Sequence, residues 1–144
     1  MAESTRKEAF LTAWASIRAA HHVLWTLHWQ AEGASSYGDH LLYQRLYEAR
    51  VAEIDRVAEL IGALFGPAAL DADASWERAG VFVAAANAKS GPARALQVVE
   101  HAMEAVEAAV EANDGKHATA ADNVFAGIAD ALDNAYYLLA QRGR

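Results

Sequence analysis

Four residues in the first half of the chain are of the kinds that hold a transition metal. His28 and His40 flank a Gly/Ser-containing turn, and Asp55 and Glu59 follow one helical turn apart. Imidazole nitrogen with carboxylate oxygen, and no soft sulfur, is a ligand set for iron or zinc. Asp55 and Glu59 stand at i and i+4, so both can face one ion. His28 and His40 can meet if the segments on either side of the turn form antiparallel helices. His40 and Asp55 share one predicted helix, however, and lie 15 residues apart. That separation is roughly 22 Å along a helix axis. Ligand atoms sit only ~2 Å from a bound metal, so one chain cannot put all four groups on one ion. A second copy can. If the helix carrying His40, Asp55 and Glu59 packs against a two-fold mate running the other way, the histidines of one chain meet the carboxylates of the other. An isologous dimer then holds two such sites.

Each of the four also has a plainer role. His28 falls on the stripe Phe10, Trp14, Ile17, His21, Leu24, and a histidine there can be a core residue bonded to a carbonyl. His40 heads the stripe Tyr47, Val51, Ile54, Ala58, Ile61, Phe65. Asp55 and Glu59 share a face with Arg45 and Glu48, which by itself reads as a solvated helix surface. It is the four together, at this spacing, that point to a metal.

The elements that must position these groups are helices. Thr5-x-x-Glu8 reads as a capping box opening a first helix that runs through Ala31, with Gly33 just past its end. Residues 34–38 are a turn. A second helix is predicted from about Asp39 to Phe65, stopped by Gly66-Pro67. Asp71, Asp73 and Ser75 offer caps for a short helix near 74–87 that carries Trp76, Val81 and Phe82, with Trp76 expected to pack on the bundle. Ser90-Gly91-Pro92 opens a third long helix with the stripe Leu96, Val99, Met103, Val106, Val110. Asn113-Asp114-Gly115 ends it, and Thr119-x-x-Asp122 starts a fourth with Val124, Phe125, Ile128, Leu132, Tyr136 and Leu139. Four long helices with one long crossover predict an all-α, single-domain chain over residues 1–144.

Composition narrows the function classes. The chain has 144 residues, 54% of them hydrophobic, and no cysteine, which excludes disulfides, thiolate zinc sites and cysteine nucleophiles. Twelve Lys and Arg against 19 Asp and Glu leave a net charge of −7. That balance disfavours nucleic acid and anionic membrane and suits a protein that handles cations. Residues 1–7 are polar and charged rather than signal-like, and no apolar run approaches the ~20 residues of a membrane span. A cytoplasmic location is expected.

His28-Trp29-Gln30, then Gly33, His40 and Asp55-Arg56-Val57-Ala58-Glu59 resembles the signature of the Dps family, the mini-ferritins or DNA-binding proteins from starved cells. All four ligand positions agree in type and spacing. The resemblance implies a ferritin-like four-helix bundle with a short extra helix in the crossover between helices two and three. It implies a homo-oligomer, a dodecamer built from two-fold dimers, with iron bound between subunits by His28, His40, Asp55 and Glu59, Glu59 being a candidate bridge between two irons. The implied activity is that of a ferroxidase: Fe(II) is oxidised by hydrogen peroxide or oxygen, ferric oxide is stored in a hollow shell, and the cell is protected from oxidative stress. The resemblance would place Trp29 near the iron, where plain core packing is the alternative, and acidic residues of the fourth helix, Asp122 first among Asp122, Asp130 and Asp133, along pores, where a solvated face or a helix cap is the alternative. The Glu-x-x-His pair of ferritins with an iron site inside each bundle is absent from the chain. His21, His22, His101 and His117 fit no ligand pattern and are expected to be structural or surface groups.

The chain departs from that family in two respects. Members that bind DNA carry a Lys-rich N-terminal arm, whereas here Arg6 and Lys7 sit among Glu3 and Glu8, with Arg142 and Arg144 at the other end. DNA binding is therefore not expected. In the turn, Ser36 stands where the family has Phe. Two rival readings remain: a DNA-compacting shell with an incidental metal site, and a non-catalytic structural helical bundle.

Overall fold

In the computed structural model, which describes residues 2–142, the chain is helical throughout its regular structure. The helices are α1 (Ala2–Gln30), α2 (Ser36–Phe65), α3 (Ala72–Ala85), α4 (Gly91–Glu111) and α5 (Ala118–Arg142), with one turn of 3-10 helix at Pro67–Ala69. No strand occurs among the described residues. No helix there is long and apolar enough to cross a membrane.

α1 packs on α2, α3 and α4, while α5 packs on α4 and α2. The two ends of the molecule give the directions. At one end Arg6, near the start of α1, donates to Asn113 Oδ1 beyond the end of α4 (3.0 and 2.8 Å) and to the Lys116 carbonyl (2.7 Å). At the other end Arg142, closing α5, pairs with Asp39 in the first turn of α2. So α1 runs antiparallel to α4, and α2 antiparallel to α5. Phe10 joins three helices at once: its ring meets Phe65 of α2 and Phe125 of α5 edge-on, with centroids 5.9 and 4.8 Å away. Burying such a ring contributes about 1.5–3 kcal/mol.

Residues 66–90 cross from the far end of α2 to the start of α4, and α3 lies against α1 on the way. Asp71 caps α3 by accepting from Ala74 N at 2.8 Å, so the short helix begins and ends two residues earlier than the sequence alone suggests. Trp76 is not packed into the bundle; it is 61% exposed and meets His22 edge-on at 6.0 Å. α1 does not open at a Thr5–Glu8 capping box but already runs from Ala2, and Glu8 instead takes the Arg78 guanidinium of α3 at 2.8 Å. α2 begins at Ser36 rather than Asp39, and Asp39 in its first turn pairs with the half-exposed Arg142. α5 starts at Ala118, and Asp122 accepts from Asn113 Nδ2 at 2.8 Å, tying the α4–α5 turn to the site of Arg6.

Candidate metal centre

His28 lies in the last turn of α1 and His40 early in α2. The connection between them reverses sharply. Gly33 has φ +88°, in the left-handed region, and its carbonyl accepts from Ser36 N at 3.1 Å. Glycine suits that position because it has no Cβ to clash with the backbone. The reversal stacks the two imidazoles with centroids 3.6 Å apart and planes 22° from parallel.

Each ring is held by the other residue's backbone. His28 Nδ1 lies 2.7 Å from the His40 carbonyl, and His40 Nδ1 lies 2.8 Å from the His28 carbonyl. A carbonyl only accepts, so Nδ1 carries a proton in both rings. In the neutral imidazoles the lone pair is then on Nε2, the nitrogen left for a metal. His28 is buried and His40 half-buried. Tyr47 closes against His28 edge-on at 5.4 Å.

Asp55 and Glu59 are exposed on α2 and are not brought to the histidines within one chain. Among the described residues no three His, Asp or Glu side chains gather as a metal site. Tyr47, Val51, Asp55 and Glu59 follow one another at i+4 steps along one face of α2. Beside that face stands an aromatic band from α1. Trp25 stacks on Tyr47 (5.2 Å, 14°), and Trp29 tilts against Trp25 at 5.0 Å. Trp29 is 65% and Val51 54% exposed, and Trp25 and Leu41 are also open to solvent. His21 packs edge-on against Trp25 and Tyr47. Burial first, then the nearby His22 and Arg18, lowers its pKa. The other pattern-free histidines, His22, His101 and His117, lie outside the paired site.

Sequence reasoning passed over two charged pairs. Arg50 is almost wholly buried on α2 and forms a two-pronged ion pair with Glu53, whose carboxyl burial pushes up against the pull of that arginine. The i, i+3 spacing was a signal, but it is equally that of a surface pair. Asp39 with Arg142 joins residues from opposite ends of the chain, and no local pattern announces it. Asp122, Asp130 and Asp133 are all exposed on α5. Comparison with family models, with curated proteins and with solved structures finds no match.

Proposed function

We propose that this chain is the subunit of a Dps-like ferroxidase and iron-storage shell, with Fe(II) as substrate at a site shared between two copies. The observation that carries the reading is the histidine pair. Each Nδ1–H is donated to a backbone carbonyl, and a hydrogen bond from the ring's other nitrogen is how metal-binding imidazoles are aimed. The packing of α1 with α2 and of α4 with α5, joined by a crossover that carries α3, is the connectivity expected of a ferritin-like bundle.

The exposed band supports the choice of face. In a two-fold pairing of antiparallel α2 helices, His40 of one copy lies opposite Asp55 and Glu59 of the other. The midpoint between those groups falls between Tyr47 and Val51. That is where α2 presents apolar surface beside Trp25 and Trp29. An apolar centre with polar groups toward its ends is the make-up of a stable interface.

In the proposed reaction, nitrogen from His28 and His40 and oxygen from Asp55 and Glu59 hold ferrous iron. Hydrogen peroxide takes one electron from each of two ferrous ions, its O–O bond breaks, and with two protons it leaves as two waters; dioxygen as oxidant takes four such electrons and four protons. Hydrolysis of the ferric ions returns protons, and the ferric oxide collects inside the shell. The protein supplies geometry and anionic charge, which favours Fe(III) over Fe(II). Metal exchange at the same ligands is governed by availability as well as affinity.

The test is a ferrous titration followed by peroxide addition on the assembled protein, with light scattering on the same sample. Ferric formation should be fast and saturate with the number of interfaces. The particle should be near twelve times the 15.5 kDa chain. A monomer with full ferroxidase activity, or an assembly no faster than free iron, would reject the reading.

A further inference from the structure

We infer that the cavity between α1, α3 and the start of α4 is a binding site for a small organic acid with a flat apolar body. The inference is independent of the metal centre: neither His28, His40, Asp55 nor Glu59 lines this cavity. Its volume is about 440 Å³, within the range of small-molecule sites. Five of its twelve lining residues are alanine, joined by Gly80 and Val83 of α3, and Trp76 adds an indole that His22 meets edge-on.

Charge identifies the ligand class. The chain carries 19 Asp and Glu, yet none lines this cavity, whereas Arg18, Arg94 and His22 do. Arg6, Arg50, Arg78 and Arg142 each have a carboxylate or amide partner. Arg18 and Arg94 have none among the described residues. Both are nonetheless fixed in direction. Arg18 lies over the Trp14 ring at 5.1 Å and donates to the buried Ser75 hydroxyl. Arg94 donates from Nε to the Ala86 carbonyl at 2.7 Å. Each guanidinium keeps N–H donors beyond these bonds, and a guanidinium at the wall of an otherwise apolar cavity suits a carboxylate. Small apolar walls and an indole face suit the body of such a ligand rather than a bare inorganic anion.

Gly80 is consistent with that role. It sits within α3, where glycine destabilises a helix by about 1 kcal/mol relative to alanine. A Cβ there would meet nothing within 4 Å. Packing therefore does not demand glycine at this lining position, and an added side chain has open space to enter.

Calorimetric titration of the full-length assembled protein with 1-naphthoate, and with 1-naphthalenemethanol as its neutral analogue, tests the inference. Naphthoate should bind saturably, and the alcohol roughly tenfold or more weaker, the discrimination of one charge-assisted contact. Arg94→Gln should lower naphthoate affinity by about the same factor. Gly80→Phe should fill the cavity and abolish binding with helical circular dichroism unchanged. Absence of saturable binding, equal affinity for acid and alcohol, or wild-type affinity in either variant would overturn the inference. If Gly80→Phe does not fold, the acid-to-alcohol ratio and Arg94→Gln decide the matter alone.

Discussion

His28 and His40 hold each other through their backbones: the Nδ1–H of each donates to the other's carbonyl, at 2.7 and 2.8 Å, while the rings stack at 3.6 Å. The arrangement fixes a tautomer. Long-range proton–nitrogen NMR of histidine-labelled protein should find both neutral rings protonated at Nδ1. A ring with its proton on Nε2 would contradict the carbonyl pairing and remove that nitrogen as a ligand.

The shared site makes a quantitative prediction. His28→Ala/His40→Ala and Asp55→Ala/Glu59→Ala should each oxidise iron slowly, since each assembly lacks half of every site. Unfolded and reassembled together in equal amounts, they form mixed dimers with one intact site and one doubly broken one. Random pairing should restore about a quarter of wild-type activity if the sites act independently. Recovery of nothing, with mixed dimers confirmed by mass, would reject the shared site.

Duplex DNA should not be retained in gel retardation at moderate salt. Arg6 is 3% exposed and engaged with Asn113 and the Lys116 carbonyl, and Arg142 is engaged with Asp39, so neither is free for phosphate. Arg144, the other basic group at that end, lies outside the described residues. Binding that falls steeply with added salt would reveal a basic surface elsewhere.

Tyr43 should titrate late. Burial first, and then the Asp39 carboxylate, raise its pKa from 10.0 to about 12, with Arg142 opposing. The unfolded chain gives up the phenolic proton near the ordinary value while the folded chain keeps it. Stability therefore falls as pH rises through the window between the two values. The tyrosinate absorbance difference between wild type and Tyr43→Phe should rise near pH 12, and wild type should lose stability relative to Tyr43→Phe above pH 10. A difference titration centred on the ordinary value would refute this.

Arg50 and Glu53 should respond unequally to mutation. Arg50 is 1% exposed and cannot shed its charge, and its Nη1 has no protein partner. Glu53→Leu leaves that cation buried and alone, a loss of about 3–5 kcal/mol, measurable by urea unfolding. Arg50→Met/Glu53→Leu removes both charges and should recover most of the loss. The pH dependence has the sign of a raised carboxyl. Its stabilising contribution is full below the ordinary value of 4.5 and declines as pH rises above it. The stability difference between wild type and Glu53→Gln should therefore shift toward the variant as pH rises from acid to neutral.

Much of the architecture could be read from local patterns. Gly66-Pro67 and Ser90-Gly91-Pro92 bound α2 and α4 because each acts within a few residues of chain, through backbone angles and a cap. The incompatibility of His40 and Asp55 with one ion in one chain follows from helix rise alone. Periodicity, by contrast, reports which residues share a face and not what covers it. Trp25 and Trp29 sit among the apolar residues of α1, yet in the single chain they lie open, while Leu27 and His28 beside them are buried. Trp76 is likewise exposed because α3 meets α1 through Ser75 and Ala79 instead. The charged residues diverge most. Arg6 and Asp39 are buried and Asp55 and Glu59 are not, since burial of a charge depends on a partner delivered from a distant part of the chain, Asn113 in one case and Arg142 in the other. Residue types and spacing thus determined the candidate ligands. Only the packed hairpin decided that two carbonyls would take the Nδ1 protons, because that pairing depends on the separation of two backbones, which no single-helix pattern contains.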